Sequence, residues 1–166
     1  MSAPHPSPPE ERGRLSGPMI RRLLHTYWRI SRGLTLGVRA AVLDRNANVF
    51  LVRHTYIPGW HLPGGGVETG ETSLDALVRE LREEAAIELA GTPTLAGIYF
   101  NNRVSRRDHV LLYVVREFRV IAPKQPDREI AEAGFFPMEG LPDGTSPATR
   151  RRIEEIRSES PPEVFW

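Results

Sequence analysis

A run of glycines that leads straight into a helix bearing three glutamates constrains this 166-residue chain more than any other feature. Leu62-Pro63-Gly64-Gly65-Gly66 is too rich in glycine to extend a strand comfortably. Glycine permits positive φ and lets a metal or phosphate come close to the backbone. Thr72, with Asp75 three residues on, predicts a capping box and a helix that starts near Ser73. Leu74, Leu77, Val78, Leu81 and Ala85 recur at helical spacing and form its apolar stripe. Glu80, Glu83 and Glu84 stand at i, i+3 and i+4, so their carboxylates share one face beside that stripe. Three carboxylates there repel one another unless something positive neutralises them. Arg79 and Arg82 are one source of charge, and a hard cation such as Mg²⁺ or Mn²⁺ is the other. Read alone, Glu-x-x-Glu-Glu is a solvated, salt-bridged helix surface. The glycine turn just ahead of it favours a site for a cation and a phosphate.

Residues 65–87 resemble the signature of the Nudix hydrolases: Gly, five residues, Glu, seven residues, then Arg-Glu-aliphatic-any-Glu-Glu-any-Gly-aliphatic. Every fixed position is matched except one, where Ala86 stands in place of glycine. Alanine there is expected to let the helix run on toward Gly91. The resemblance implies an α/β fold, an α/β/α sandwich with a mixed β-sheet between helices. It implies metal-dependent hydrolysis of a nucleoside diphosphate linked to another moiety, such as a nucleotide or nucleotide sugar, with water as nucleophile and Mg²⁺ or Mn²⁺ as cofactor. By similarity the Gly64 carbonyl and Glu80, Glu83 and Glu84 bind metal, with Glu80 as ligand or base, while Gly65, Glu71 and Arg79 support the loop and helix. The family's base, or a further ligand, can also come from a later loop. Glu129, within Asp127-Arg128-Glu129-Ile130, is the candidate, and Glu132 and Glu117 compete with it.

Composition sets the outer limits. The length suits one domain with a real core. The chain has no cysteine, which excludes disulfides and thiol chemistry. No apolar run is long enough to span a membrane, and the first residues lack the order of a signal peptide, so a cytoplasmic protein is expected. A net charge of +1 gives no general attraction to nucleic acid, which is an unlikely partner on this ground. Lys124 is the single lysine among 22 basic residues, which reads as compositional bias.

Four segments are expected. Residues 1–17 form a disordered proline-rich tail, and residues 18–33 a basic amphipathic helical arm that includes Leu23, Leu24 and Trp28. The arm packs on its own domain or on a second subunit, giving a homodimer; an anionic membrane surface is the alternative. Residues 34–158 form the hydrolase domain and 159–166 a C-terminal tail. Within the domain, strands are predicted at 36–43 and 49–53, joined by a hairpin turn at 44–48. Residues 60–63 lead into the glycine turn. Further strands are predicted at 94–100 and 110–120, with a short one at 135–137. Ser146-Pro147 reads as the N-cap and first residue of a helix to about residue 157.

The substrate is less legible. Arg53 and, in the loop at 101–108, Asn102, Arg106 and Arg107 are candidates for holding phosphates or a base, against a plain solvated loop. Tyr56, Trp60, Tyr99 and Phe100 either stack on a base or belong to the core. His54, His61 and His109 have no zinc-ligand spacing. Two other readings stand beside the small-molecule hydrolase: a catalytically silent nucleotide-binding module and an RNA 5′-end pyrophosphohydrolase.

Overall fold

Strand β1 (Thr35–Val42) is buried on both faces because nearly every residue from Val38 to Leu43 is apolar. Such a run suits a parallel strand between two helical layers. The computed structural model describes residues 33–166; the expected tail at 1–17 and residues 18–32 of the basic arm lie outside the described residues. The remaining elements are β2 (Asn48–His54), β3 (Trp60–His61), α1 (Ser73–Ala85), β4 (Ile87–Leu89), β5 (Thr94–Phe100), β6 (Asp108–Val115), β7 (Phe118–Val120), β8 (Ile130–Pro137) and α2 (Pro147–Arg157).

The strands form a mixed arrangement. β1 runs parallel to β6, with Gly37 opposite Val110, and β6 pairs antiparallel with β5. β2 pairs antiparallel with β3 and β8, and β4 with β7. Val38, Ala40 and Val42 pack on Ala76, Leu77, Leu81 and Ala85 of α1. Ala41 and Leu43 pack with Leu51, Leu112 and Ile153 of α2. The alternation along β1 therefore puts one helix on each face, the α/β/α layering expected from the sequence.

The free edge of β1 takes the glycine-rich loop. Ala40 N–H donates to the Pro63 carbonyl at 2.9 Å, Val38 N–H to Gly65 at 2.8 Å, and Val67 N–H to Leu36 at 2.8 Å. From that anchored loop the chain enters α1 through the capping box: Asp75 N–H donates to the Thr72 hydroxyl, and Thr72 N–H to the Asp75 carboxylate. α2 begins as the sequence indicates, with Ser146 accepting from Thr149 N–H and Pro147 in the first turn.

Four expectations need correction. The helix does not run on past Ala86. Ala86 itself adopts the left-handed conformation, φ 53° and ψ 42°, and Ile87 enters β4. Pairing of Ile87 with Val120, and of Ile121 N–H with the Ala86 carbonyl, outweighs a backbone cost of about 1 kcal/mol. Second, β1 and β2 share only the bridge Leu43–Val49, because each finds its ladder elsewhere; Asp44 shapes the turn through the amides of Asn46 and Asn48. Third, residues 110–120 are two strands, since the chain leaves β6 at Val115 to pair β7 with β4. Fourth, the short strand at 135–137 is the end of an eight-residue β8 that follows β2.

The last residues are fastened to the domain. Phe100 N–H donates to Val164 and Trp166 N–H to Phe100. The fully buried Arg152 donates to the Phe165 carbonyl at 2.7 Å and to Glu155 at 2.7 Å, with its guanidinium 4.2 Å from the centre of the Tyr99 ring.

Ala86→Gly should stabilise the protein by about 0.5–1 kcal/mol, because glycine meets no Cβ penalty in the left-handed region. Urea unfolding of both proteins checks this. An unchanged or lower midpoint would mean that the alanine methyl, or the stiffer unfolded chain, outweighs the strain.

Candidate active site

Arg79 ties the loop to the helix. Its guanidinium donates to Glu71 at 2.9 Å, to the Gly66 carbonyl at 3.0 Å and to Glu80 at 2.6 Å, and lies 3.7 Å from Glu83. Glu71 also accepts from Glu68 N–H, and these two partners, Arg79 first, hold its carboxyl below the ordinary range. The glycines make room for this packing. A Cβ on Gly65 would stand 2.3 Å from a Glu80 carboxylate oxygen. Gly64 has φ +138°, and a Cβ there would fall 2.1 Å from the Val38 carbonyl. Neither position admits a side chain without moving the site.

Glu84 is buried. It accepts from Gly64 N–H at 2.8 Å and lies 3.7 Å from Nε2 of His54, which is also buried. Burial, with the like charges of Glu80 and Glu129, pushes its carboxyl up to about 7, against the Gly64 amide and the nearby Arg39. Burial, then the charges of Arg39 and His61, pushes His54 down to about 4. The imidazole is therefore neutral at pH 7. His54 Nδ1 is buried without a hydrogen-bond partner among the described residues.

These groups line one cavity of about 330 Å³, which brings together Gly64, Glu80, Glu83, Glu84 and Glu129. Arg39 and Arg79 reach the same space, and Tyr56 and Ile57 form its exposed apolar rim. Volume alone does not mark the site, since a cavity of about 430 Å³ beside Arg45 and Arg157 has no such convergence. Glu129 arrives from the segment between β7 and β8, far from α1 in sequence.

The remaining sequence candidates lie elsewhere. Arg53 pairs with Glu132 at 2.7 Å, stands over Trp60, and does not line the cavity. Glu132 is engaged by that same pair. Asn102, Arg106 and Arg107 sit between β5 and β6 and do not line it either. Glu117 lines a separate cavity with Arg45 and Arg116. Trp60 packs edge-on against Phe136, Tyr99 against Trp166, and Phe100 near His109 and Phe165.

Arg39 is the residue that sequence reasoning missed. It donates to the carbonyls of Leu62 and Gly64 from within β1. The available signal was a lone guanidinium inside an apolar strand. The donors around the cavity suit a hard divalent cation: a carbonyl and carboxylates, all oxygen. Among the described residues the carboxylates do not form a closed ligand set. Glu80 and Glu83 turn to Arg79, and Glu84 turns to Gly64 and His54. The raised Glu84 carboxyl supports the fit, because a buried carboxyl short of positive charge gains from a cation.

The two buried groups bend stability in opposite directions. The folded state holds a proton on Glu84 between about pH 4.5 and 7, so this residue costs stability as pH rises through that window. The unfolded state holds a proton on His54 between about 4 and 6.5, so this residue costs stability as pH falls through that window. Wild type should be nearly flat between pH 5 and 8 in chelator. Relative to it, Glu84→Gln should gain on the order of 1–2 kcal/mol from pH 5 to 8, and His54→Gln a similar amount from pH 7 to 5. Denaturant unfolding at three pH values reads both, and parallel curves for all three proteins would contradict the assignment.

Comparison with known proteins agrees with the fold. The NUDIX domain family model matches residues 33–156. The ADP-ribose pyrophosphatase of Methanocaldococcus jannaschii is 29% identical over 104 residues, 61% of this chain and 61% of that protein. An RNA pyrophosphohydrolase of Xanthomonas oryzae is 34% identical over 82 residues, 46% of this chain and 40% of that protein. The chain thus spans about half the length of the curated relatives it matches. Among solved structures, a MutT NUDIX hydrolase from Burkholderia pseudomallei is similar at 27% identity and TM-score 0.60, over 74% of this chain and 97% of that one. With the family model matching most of its length, this chain belongs to the NUDIX family.

Proposed function

We propose that this protein is a metal-dependent hydrolase that cleaves the diphosphate linkage of a nucleoside diphosphate derivative, with water as the nucleophile. The observation that carries this reading is the convergence of Gly64, Glu80, Glu83, Glu84 and Glu129 in one cavity faced by Arg39 and Arg79. Divalent metal is general in the family, and Gly64, Glu80, Glu83 and Glu84 would hold Mg²⁺ or Mn²⁺ here. Bound metal neutralises phosphate charge and lowers the pKa of a coordinated water. Arg39 presents a guanidinium to phosphate oxygens, while Arg79, engaged by Glu71, Glu80 and the Gly66 carbonyl, braces the loop. Glu129 is the candidate to accept the proton of the attacking water. Buried His54 closes the floor of the cavity beside Glu84.

The cavity of about 330 Å³ shares Glu83, Glu84 and Glu129 with a second of about 500 Å³, and the charged groups that suit a diphosphate line the first. The remaining moiety would then lie on the rim, where Tyr56 and Ile57 offer apolar contact. Relatives named for ADP-ribose and for RNA share the diphosphate and differ in the rest. Asn102, Arg106 and Arg107 lie off the cavity and so would matter only to a substrate that extends past it.

A phosphate-release screen with Mg²⁺ and Mn²⁺ should find turnover among nucleotides, nucleotide sugars, ADP-ribose, dinucleoside polyphosphates and 5′-triphosphorylated RNA. Glu83→Gln and Glu84→Gln should each lower kcat by at least about 100-fold, since residues that merely orient metal ligands already cost about 10- to 100-fold. Turnover confined to RNA, falling steeply with salt, would replace the small-molecule substrate with an RNA 5′ end. Nucleotide binding without turnover on any compound would make the protein a silent binding module.

A further inference from the structure

Glu129 lies in the cavity, yet its carboxylate has no hydrogen bond or ion pair of its own among the described residues. The backbone of its loop must aim it. Two anchors hold that loop. At the end of β2, Thr55 N–H donates to the Glu129 carbonyl at 2.9 Å and the Thr55 hydroxyl to the Arg128 carbonyl at 2.7 Å. On the other side stands Lys124. Its ammonium donates to the Glu83 carbonyl at 2.6 Å and to the Asp127 carboxylate. The second oxygen of Asp127 accepts the N–H groups of Glu129 and Ile130, each at 2.8 Å.

We propose that Lys124 is a positioning residue that clamps this loop to the C-terminal turn of α1 and so sets the Glu129 carboxylate against those of Glu83 and Glu84. The proposal rests on the hydrolase reading in that Glu129 serves the reaction. Three features support it. The Glu83 carbonyl belongs to the last turn of α1, where helical partners run out; Ala86 N–H goes to Leu81, and Ile87 has already entered β4. A cation there satisfies the carbonyl and complements the negative end of the helix dipole. The Lys124 side chain is only 13% exposed, unusual for lysine and consistent with a fixed role. Finally, 21 of the 22 basic residues are arginine, so a lysine here is not explained by composition. A compact ammonium reaches a carbonyl and a carboxylate at once, which a planar guanidinium does less well.

The test combines amide exchange, read residue by residue by NMR on the metal-free protein, with turnover of ADP-ribose and dGTP in Mg²⁺. In Lys124→Met, the amides of Thr55, Glu129 and Ile130 should exchange about 10-fold faster or more, while those of Leu77 to Leu81 keep their protection. On the hydrolysed probe, kcat should fall by about 10-fold with KM nearly constant, in the range seen for groups that orient site residues. Adding Lys124→Met to Glu129→Gln should cost nothing further, because the lysine acts through that glutamate. Asp127→Asn breaks the clamp from its exposed side and should give the same pattern, which covers the case in which Lys124→Met fails to fold. Wild-type exchange at the three amides in both variants overturns the proposal. So does a kcat loss that persists in full on Glu129→Gln. If wild type hydrolyses neither probe, the hydrolase reading fails separately, and the exchange measurement still decides whether Lys124 holds the loop.

Discussion

The backbone hydrogen bonds between β1 and residues 63–67 support everything else in the site. They lay a glycine-rich loop, with no regular structure of its own, along a strand buried on both faces. The loop thereby inherits the rigidity of the core. It then presents the Gly64 amide to Glu84 and the Gly64 carbonyl to Arg39. The apolar stripe of α1 packs on the same strand, through Leu77, Leu81 and Ala85. Loop and helix are referenced to one rigid element, which is what a constellation of ligands needs if it is to be held to fractions of an ångström.

Charge is distributed with the same economy. Four carboxylates share the cavity with Arg39 and Arg79, while Lys124 binds the Glu83 carbonyl and the Asp127 carboxylate. Arg79 is local to the helix and binds both its ends of the loop. Arg39 comes from β1, and Lys124 from the segment before β8. Glu84 is the least compensated, being buried against an amide and a neutral imidazole. In the absence of a cation that arrangement opposes folding, and it favours whatever positive charge can enter. Stability given up at a site in this manner is a common mark of function.

Much of this was legible because it is local. The capping box at Thr72 and Asp75, the apolar stripe, the three-glutamate face, and the Ser146-Pro147 start of α2 each depend on residues a few positions apart. The layer order was implied by the resemblance of residues 65–87 to a known signature. Less legible were features in which distant pairing overrides local preference. Ala86 takes a conformation that suits glycine because β4 must meet β7. The chain breaks at Arg116 and Glu117 because one strand's continuation is another strand's partner. Arg53 looked like a phosphate ligand until Glu132, across the β2–β8 ladder, claimed it.

The sequence by itself determined the helix, its glutamate face and the glycine turn, hence a set of hard oxygen donors. Their spacing is fixed by covalent geometry and helical periodicity. Only the tertiary structure decided which cations oppose those carboxylates, which carboxylate is buried, and which later glutamate joins them. Those outcomes depend on desolvation and on contacts between Arg39 and Gly64, Thr55 and Glu129, and Lys124 and Glu83. Such pairs meet only when β1, β2 and α1 pack together, and no local pattern in the chain encodes their distance.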